Sequence, residues 1–547
     1  MRRGSWPSVR PRYRGAAITA AALLTAGLAA CSSANGATTS AKNSATFVMA
    51  VQSLPTTLDI IPFQGAPTRQ IQTLLDSELW NYNDLSCSTA PTATNLTGWL
   101  AKSSTVSPDR KTITVTLKDE KSPYGHTLSS ADVAWSLQRA ITLSPIVKFL
   151  AFANIHLAKD PVTVVSPTVF KINLSQPTPI DEAMFTVPGF GILDSTEAKA
   201  HASPADPWAS VWLTTHSDGY GPWQVSAYYS GNEIILTRNP GWTGAMGNIS
   251  TVVVKQIANS AQQAELMPSG EVQYSSQLTW SEYRSLQKDN NGTVKVYACA
   301  PFSRDTLVLQ QADPRFAKAK VRQAISMAIN RQAMVTAAYA GYGGPALTGW
   351  LPSSLPPGAN VVQTEQNVTA AKALLASAGY PHGFAMTLTY NPTQPGPQVE
   401  ELAILLKAQL AQIGITLTLQ NLSSAAQYTT DQFSGKFQAI ISSESPAVPS
   451  EFFDAAFLAP TSPINTFHYN NPAYTAQINA LGAAAPGSAA YNAALIKLAN
   501  MNITSAGFIY LVATPNIFAM SSSVSNVDAS LVTGPIIPQP SQLTIGD

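Results

Sequence analysis

The stretch DRKTITVTLKDEKSPYGHTLSSADVAWSLQRA, residues 109–140, changes its period halfway along. Thr112-Ile113-Thr114-Val115-Thr116-Leu117 alternates Thr with apolar residues at period two, the pattern of a half-buried strand. Past a polar turn, Ser129 and Asp132 stand at capping-box spacing, with Asp where Glu is usual. The helix they open runs through Val133, Leu137 and Ala140. Strand and helix signals go on alternating outward from here, without a short repeat. Phe170, Ile172 and Leu174 repeat the strand pattern, as do Ile415, Leu417 and Leu419. Val321, Ala324, Ile325, Ala328, Ile329 and Val335 make an apolar face at helical spacing. Ala403, Leu406, Leu410 and Ile413 make another, stopped by Gly414 in a helix C-terminal position. Such a mixture predicts α/β architecture with mixed sheets. Pro and Gly cluster at 340–360 and 391–397, which marks loops.

The chain has 547 residues, 45% apolar and only 12% charged, ample for a folded core and for two or three domains. Its first fourteen residues carry Arg2, Arg3, Arg10, Arg12 and Arg14 and no acid, and an apolar run from Ala16 to Ala30 follows. That run is signal-peptide length, short of the ~20 residues a bilayer span needs. Leu28-Ala29-Ala30-Cys31 resembles the lipobox of bacterial lipoproteins, which implies acylation of Cys31 after cleavage at 30. Several acyl chains on one cysteine give lasting attachment, at about 0.8 kcal/mol per buried CH₂. Residues 31–45 read as a flexible Ser/Thr/Ala/Asn tether. Loss of the five leader arginines from 32 basic residues leaves 27 against 31 acids. No basic patch remains to suggest nucleic acid. Cys87 and Cys299 stay behind, about 200 residues apart. An oxidising compartment permits a bridge between them, yet sequence cannot bring their Cβ atoms together, and separate buried thiols are the preferred reading.

Enzyme signatures are missing. The chain has no G-x-S-x-G elbow, no P-loop and no G-x-G-x-x-G. Gly341-Tyr342-Gly343-Gly344 lacks the Lys-Ser/Thr that a phosphate cradle requires. The six histidines (126, 156, 201, 216, 382 and 468) never take a metal-ligand spacing. Neither a metal nor a cofactor is expected. A triad assembled from distant residues stays open, since triads are recognised by geometry.

Several segments, in order, resemble the solute-binding proteins of peptide-type ABC importers, the family of dipeptide, oligopeptide and nickel receptors. They are SLPTTLDIIP (53–62), IQTLLDSELWNYND (71–84) and residues 109–140, where Ala131, Asp132, Val133, Ser136 and Arg139 fall in register. GYGPWQVSAYYSGNEIILTRNPGW (219–242), ELMPSGEVQY (265–274), RFAKAKVRQAISMAINRQAMVTAAYAGYGGPA (315–346), AAKALLASAGYPHGF (370–384) and QLAQIGITLTL (409–419) complete the series. The resemblance spans about 46 to 440. It implies a periplasmic-binding-protein-like fold of two lobes with mixed sheets and a hinge. Domain I would comprise 46–302 plus 508–547, with 68–208 as subdomain Ib, and domain II 303–507. A small-molecule or peptide ligand would be enclosed between the lobes and passed to an ABC permease by a monomer on the outer face of the cell membrane, anchored through Cys31. The alternatives are a secreted hydrolase and a ligand sensor that keeps the fold.

By position in that family, the ligand contacts would be Pro55, Thr56 and Thr57, Phe149, Cys299, Ala300 and Phe302, then Tyr390, Thr393 and Gln394, and Ser443, Glu444 and Ser445. Dipeptide receptors of the family place an Arg in the 390–394 loop and an Asp in the 442–446 loop. Here the loops read Tyr-Asn-Pro-Thr-Gln and Ser-Ser-Glu-Ser-Pro, with Glu444 the only nearby acid. The expected cargo is therefore not a free zwitterionic dipeptide, because a buried ligand charge without a partner costs several kcal/mol.

Overall fold

The protein was analysed as a computed structural model. It describes residues 45–546 apart from 62–65, 76, 83–85, 89–95, 155, 179–180, 290, 348–364, 393–395, 397, 445–458, 460–461, 463–464, 486–487 and 533–536. Cys31 and the leader lie outside the described residues, as do Thr393, Gln394 and Ser445.

The opening stretch folds as read. Thr112–Leu117 is a strand with alternate residues buried, in a four-stranded antiparallel sheet with Ala101–Val106, Val169–Leu174 and Leu157–Ser166. Helix Ser130–Leu143 carries a complete capping box: the Ser129 side chain accepts from the Asp132 amide, and the Asp132 carboxylate accepts from the Ser129 amide. Ile113, Val115, Leu117, Val133, Leu137, Ala140, Phe170 and Ile172 meet in one core.

Among the described residues the larger sheet has eleven strands, one of them the short Gly344–Pro345 that pairs off the main path with Ile509–Ser521. Two long antiparallel strands, Val294–Leu309 and Ile509–Ser521, run through its middle and are called here the crossing strands. On one side lie Tyr274–Ser275, Ala45–Val51, Ile249–Gln256, Glu233–Arg238 and Trp223–Tyr229; on the other lie Ala439–Glu444, Ala385–Tyr390 and Thr416–Asn421. The crossing ladder is regular from Val294↔Ser521 to Ala298↔Ile517, then shifts twice before Ser303↔Thr514. Pro301 faces Pro515 in that gap. Neither proline has an N–H to give, so the ladder weakens where the sheet passes from its first half to its second.

Arginines of the matching segments turn out to be structural staples. Arg322, 4% exposed, donates to the carbonyls of Phe316, Ala317, Ser505 and Ala506. Arg331 donates to the Tyr510 carbonyl at 2.7 Å and to Ser326. Both tie helices to the second crossing strand or its approach, which explains a guanidinium on an otherwise apolar face. The face drawn through Val321 to Val335 is not one helix. It breaks at Ile329, whose backbone is extended, into Ala319–Ala328 and Arg331–Ala338. Asn330 caps the second piece by accepting from the Ala333 amide at 2.9 Å, a local bond that competes with continued helix. Helix Gln398–Ala411 ends near Gly414, which takes φ +83°, as its position predicts.

Cys87 and Cys299 are bonded to each other, against the preference for separate thiols. The fold closes what the sequence could not: Cys299 sits on the first crossing strand in the core with Phe47, Met49, Val51 and Phe518, and Cys87 packs against that core from the chain beyond Tyr82.

Glu78 is 3% exposed, and its Oε1 has no hydrogen-bond partner among the described residues. Burial pushes its carboxyl up to about 8. At neutral pH the folded chain therefore keeps a proton that the unfolded chain has lost. Stability from this group is lost as pH rises from about 4.5 to about 8 and is level above that. Glu78→Gln is expected to raise the unfolding midpoint at pH 8 and leave it unchanged at pH 4.5; chemical denaturation at both pH values measures this.

Candidate functional site

Strand direction locates the site. In the first half of the sheet, Ala45–Val51 runs parallel to Ile249–Gln256 and to Tyr274–Ser275. Ser275 pairs with Ala519, which faces Val296 on the first crossing strand. The chain therefore leaves these strands, at residues 52–57 and 276–278, on the edge nearest the proline gap. In the second half, Ala385–Tyr390 runs parallel to Thr416–Asn421 and to Ala439–Glu444. Glu444 pairs with Arg304, on the other side of the same gap. The carboxyl ends of parallel strands from both halves thus converge on the crossing. Ligands of open α/β sheets bind at such an edge, where successive loops and helix starts present free backbone groups.

The candidates distribute along this edge unevenly. Pro55 is buried and its carbonyl accepts from the Tyr228 hydroxyl at 2.9 Å. Thr57 is buried too, its Oγ1 accepting from the Asp59 amide at 3.1 Å; Thr56 between them is exposed. Cys299 lies at the edge, but its sulfur is bonded to Cys87 and the residue is 1% exposed, so its thiol is not available to a ligand. Ala300 and Phe302 lie in the proline gap of the first crossing strand. Tyr390 ends its strand, buried and hydrogen-bonded to Asn421. Ser443 and Glu444 end theirs. Phe149 ends helix Pro145–Phe149, which packs against helix Ser130–Leu143.

Three residues not singled out from the sequence also stand at this edge. Asn391, fully buried, donates to the Leu422 carbonyl at 2.7 Å and fixes the chain leaving Tyr390 against the end of the neighbouring strand. Arg304 and Asp305 occupy the first crossing strand just past the gap, both within 2% of full burial. Burial raises the Asp305 carboxyl above the usual range, against hydrogen bonds from Tyr339, Ser443 and Gln398. The signal in the sequence was a charged pair, Arg304-Asp305, opening the apolar run Thr306-Leu307-Val308-Leu309.

Buried charge is paired inside the first half as well. Asp59, of the segment TLDI, receives two bonds from Arg139, at 2.8 and 2.6 Å. Among the described residues no group of His, Cys, Asp and Glu is placed to hold a metal ion. A surface hollow of about 300 Å³ between helices Ser260–Leu266 and Trp280–Asp289 is lined by none of the candidate residues. None of the described helices is long and apolar enough to cross a membrane.

The chain is similar to several known proteins. The glutathione-binding protein GsiB of Escherichia coli O1:K1 is 26% identical over 318 residues, 58% of this chain and 59% of that protein. The chain thus matches somewhat over half the length of that relative. Among solved structures, the periplasmic binding protein DppA of Helicobacter pylori, in complex with the peptide STSA, superposes with a TM-score of 0.79 at 19% identity, covering 92% of this chain and 98% of that one. The oligopeptide-binding protein AppA of Bacillus subtilis, in complex with a nonapeptide, superposes at 0.74 and 17% identity, covering 92% and 99%. The fold is that of the periplasmic binding proteins. The sequence model of the bacterial extracellular solute-binding proteins of family 5 matches residues 95–462, two-thirds of the chain, and the protein belongs to that family.

Proposed function

We propose that the protein captures a peptide or a related polar solute between the two halves of its sheet and delivers it, chemically unchanged, to the membrane permease of an ABC importer. The observation that carries this reading is the convergence of carboxyl strand ends from both halves on one crossing, in a member of a solute-binding family. The halves would act as lobes, domain I being 46–302 with 508–547 and domain II 303–507, closing about the proline gap. Relatives named for binding glutathione and peptides, rather than for catalysis, support a receptor over a hydrolase. The chain would work as a monomer on the outer face of the membrane, held by acylated Cys31. A Cys31→Ser variant then appears in the soluble fraction, whereas the parent stays with membranes.

Cargo follows from charge. No Lys or Arg occurs from 385 to 406 or from 437 to 496, the segments that carry the second half's edge loops. A free peptide carboxylate has no dedicated cation there, so a longer peptide held by its backbone, or a neutral polar solute, fits better. Isothermal calorimetry is expected to show the tetrapeptide STSA binding at least about tenfold more tightly than dialanine, with the peptide recovered intact. Tight dialanine binding that Thr393→Ala or Glu444→Ala abolishes would refute the cargo assignment. Release of cleaved peptide would refute the receptor.

A further inference from the structure

Asp305 is 1% exposed and sits where the crossing ladder shifts again, between Asp305↔Val512 and Thr306↔Tyr510. A shift of this kind re-aims a side chain. The carboxylate is met by three side chains from three separate elements: the Tyr339 hydroxyl, Ser443 and Gln398. Ser443 stands one residue before the end of strand Ala439–Glu444, directly opposite Asp305 in the ladder. Gln398 is the first residue of helix Gln398–Ala411, which receives the chain from the loop that Asn391 begins. Two of the three donors thus stand at the roots of the two loops where ligand contacts are expected in the second half.

The third donor leads elsewhere. Tyr339 is fully buried just past helix Arg331–Ala338 and meets Trp280 edge-on, ring centroids 5.0 Å apart. Trp280 opens helix Trp280–Asp289, which packs in the core of the first half with Ile257, Met267 and Val272. The same contact is reinforced beside Tyr339. Arg284 donates to the Ala340 carbonyl at 2.6 Å and lies 4.4 Å over the Tyr342 ring, whose hydroxyl donates to Gln287 at 2.9 Å. A hydrogen-bonded path therefore runs from a contact between the halves, through one buried carboxylate, to both loop roots.

We propose that Asp305 is a positioning residue for cargo capture, setting the end of strand Ala439–Glu444 and the start of helix Gln398–Ala411 relative to the contact between the two halves. It touches no ligand; it acts through Ser443 and Gln398. The proposal rests on the capture reading above only for its consequence on affinity. Its geometric part is tested without ligand.

The test uses the full chain and the variants Asp305→Asn, Tyr339→Phe and Ser443→Ala. Asn keeps the shape but turns a donor toward donors, and Phe deletes one hydroxyl while keeping the ring on Trp280. Hydrogen exchange without ligand is expected to speed up about tenfold in the first turn of Gln398–Ala411 and at Ile441–Ser443 in both Asp305→Asn and Tyr339→Phe, and to stay unchanged across Thr112–Leu117. With STSA as probe, Asp305→Asn is expected to weaken binding about tenfold. Ser443→Ala should weaken it severalfold in the parent and not further beside Asp305→Asn, the signature of two residues acting as a unit. Unchanged exchange at both segments in Tyr339→Phe and Asp305→Asn overturns the proposal, as does full additivity of the two losses. If the parent does not bind STSA, peptide capture falls, and the exchange result still decides the role of Asp305.

Discussion

Replacing Cys299 with Ser is expected to cost about 2–5 kcal/mol of stability, and Cys87→Ser the same. The bond joins residues 212 apart. The chain between them includes the whole four-stranded sheet and four strands of the first half, so its loss frees a large loop in the unfolded state. Among the described residues little else ties Cys87 down. Its amide donates to Asp528 at 3.4 Å, and its side chain is only partly covered. The partner stands one residue past the last regular pair before the proline gap. The bond therefore fixes the near end of the crossing and leaves residues beyond it to bend. The double variant decides the mechanism: because only one bond exists to lose, Cys87→Ser with Cys299→Ser should unfold at the same denaturant concentration as either single variant. Losses that add would show that each residue contributes through packing and that the bridge contributes nothing.

How much of this was legible beforehand depends on how local each signal is. The Ser129–Asp132 cap, the Thr112–Leu117 alternation and the stop at Gly414 are written within a few residues and fold as read. The break at Ile329 was missed because apolar spacing continues straight across it; only the cap by Asn330, four residues before Met334, marks the end of one helix and the start of another. The bridge was hidden by distance, since nothing in a 212-residue separation says that two chain segments meet. At the candidate site the residues chosen from the sequence fall largely at strand ends, but several of their side chains are already spoken for. Ser443 answers to Asp305, Thr57 caps the turn at Asp59, and Cys299 is bonded. The residues that organise the edge are charged or amide side chains buried among apolar neighbours, Asp305 and Asn391 above all. In a sequence these look like exceptions within a strand or a loop. Their meaning comes only from the partners that other strands bring.

The ion pair of Asp59 and Arg139 shows why two of the matching segments, 80 residues apart, belong together. Arg139 has no exposed surface; besides Asp59 it donates to the Trp208 carbonyl at 3.0 Å and to Ser210 at 3.2 Å. Asp59 in turn accepts from the Ile61 amide, and its carbonyl accepts from Gln72 at 2.6 Å. One guanidinium thus joins helix Ser130–Leu143 to the chain leaving the first strand and to the segment returning near 208. Arg139→Ala is expected to destabilise the fold by about 3–5 kcal/mol, because it strands a carboxylate that burial has cut off from water. The neighbourhood makes matters worse. Asp218 lies nearby, held well above the usual carboxylate range by burial and by Asp194, and Arg139 is the charge that opposes the rise. Without Arg139, Asp218 favours its protonated form in the fold still more than in the unfolded chain, so the variant should lose further stability as pH rises and recover part of it toward pH 5. Asp59→Leu combined with Arg139→Met removes both charges and is expected to restore much of the loss, whereas either change alone does not. Urea unfolding of the parent and these four variants at pH 5 and 8 measures all of this. A double variant no more stable than Arg139→Ala would mean that the hydrogen bonds to Trp208 and Ser210, and not the pairing of charge, hold these segments together.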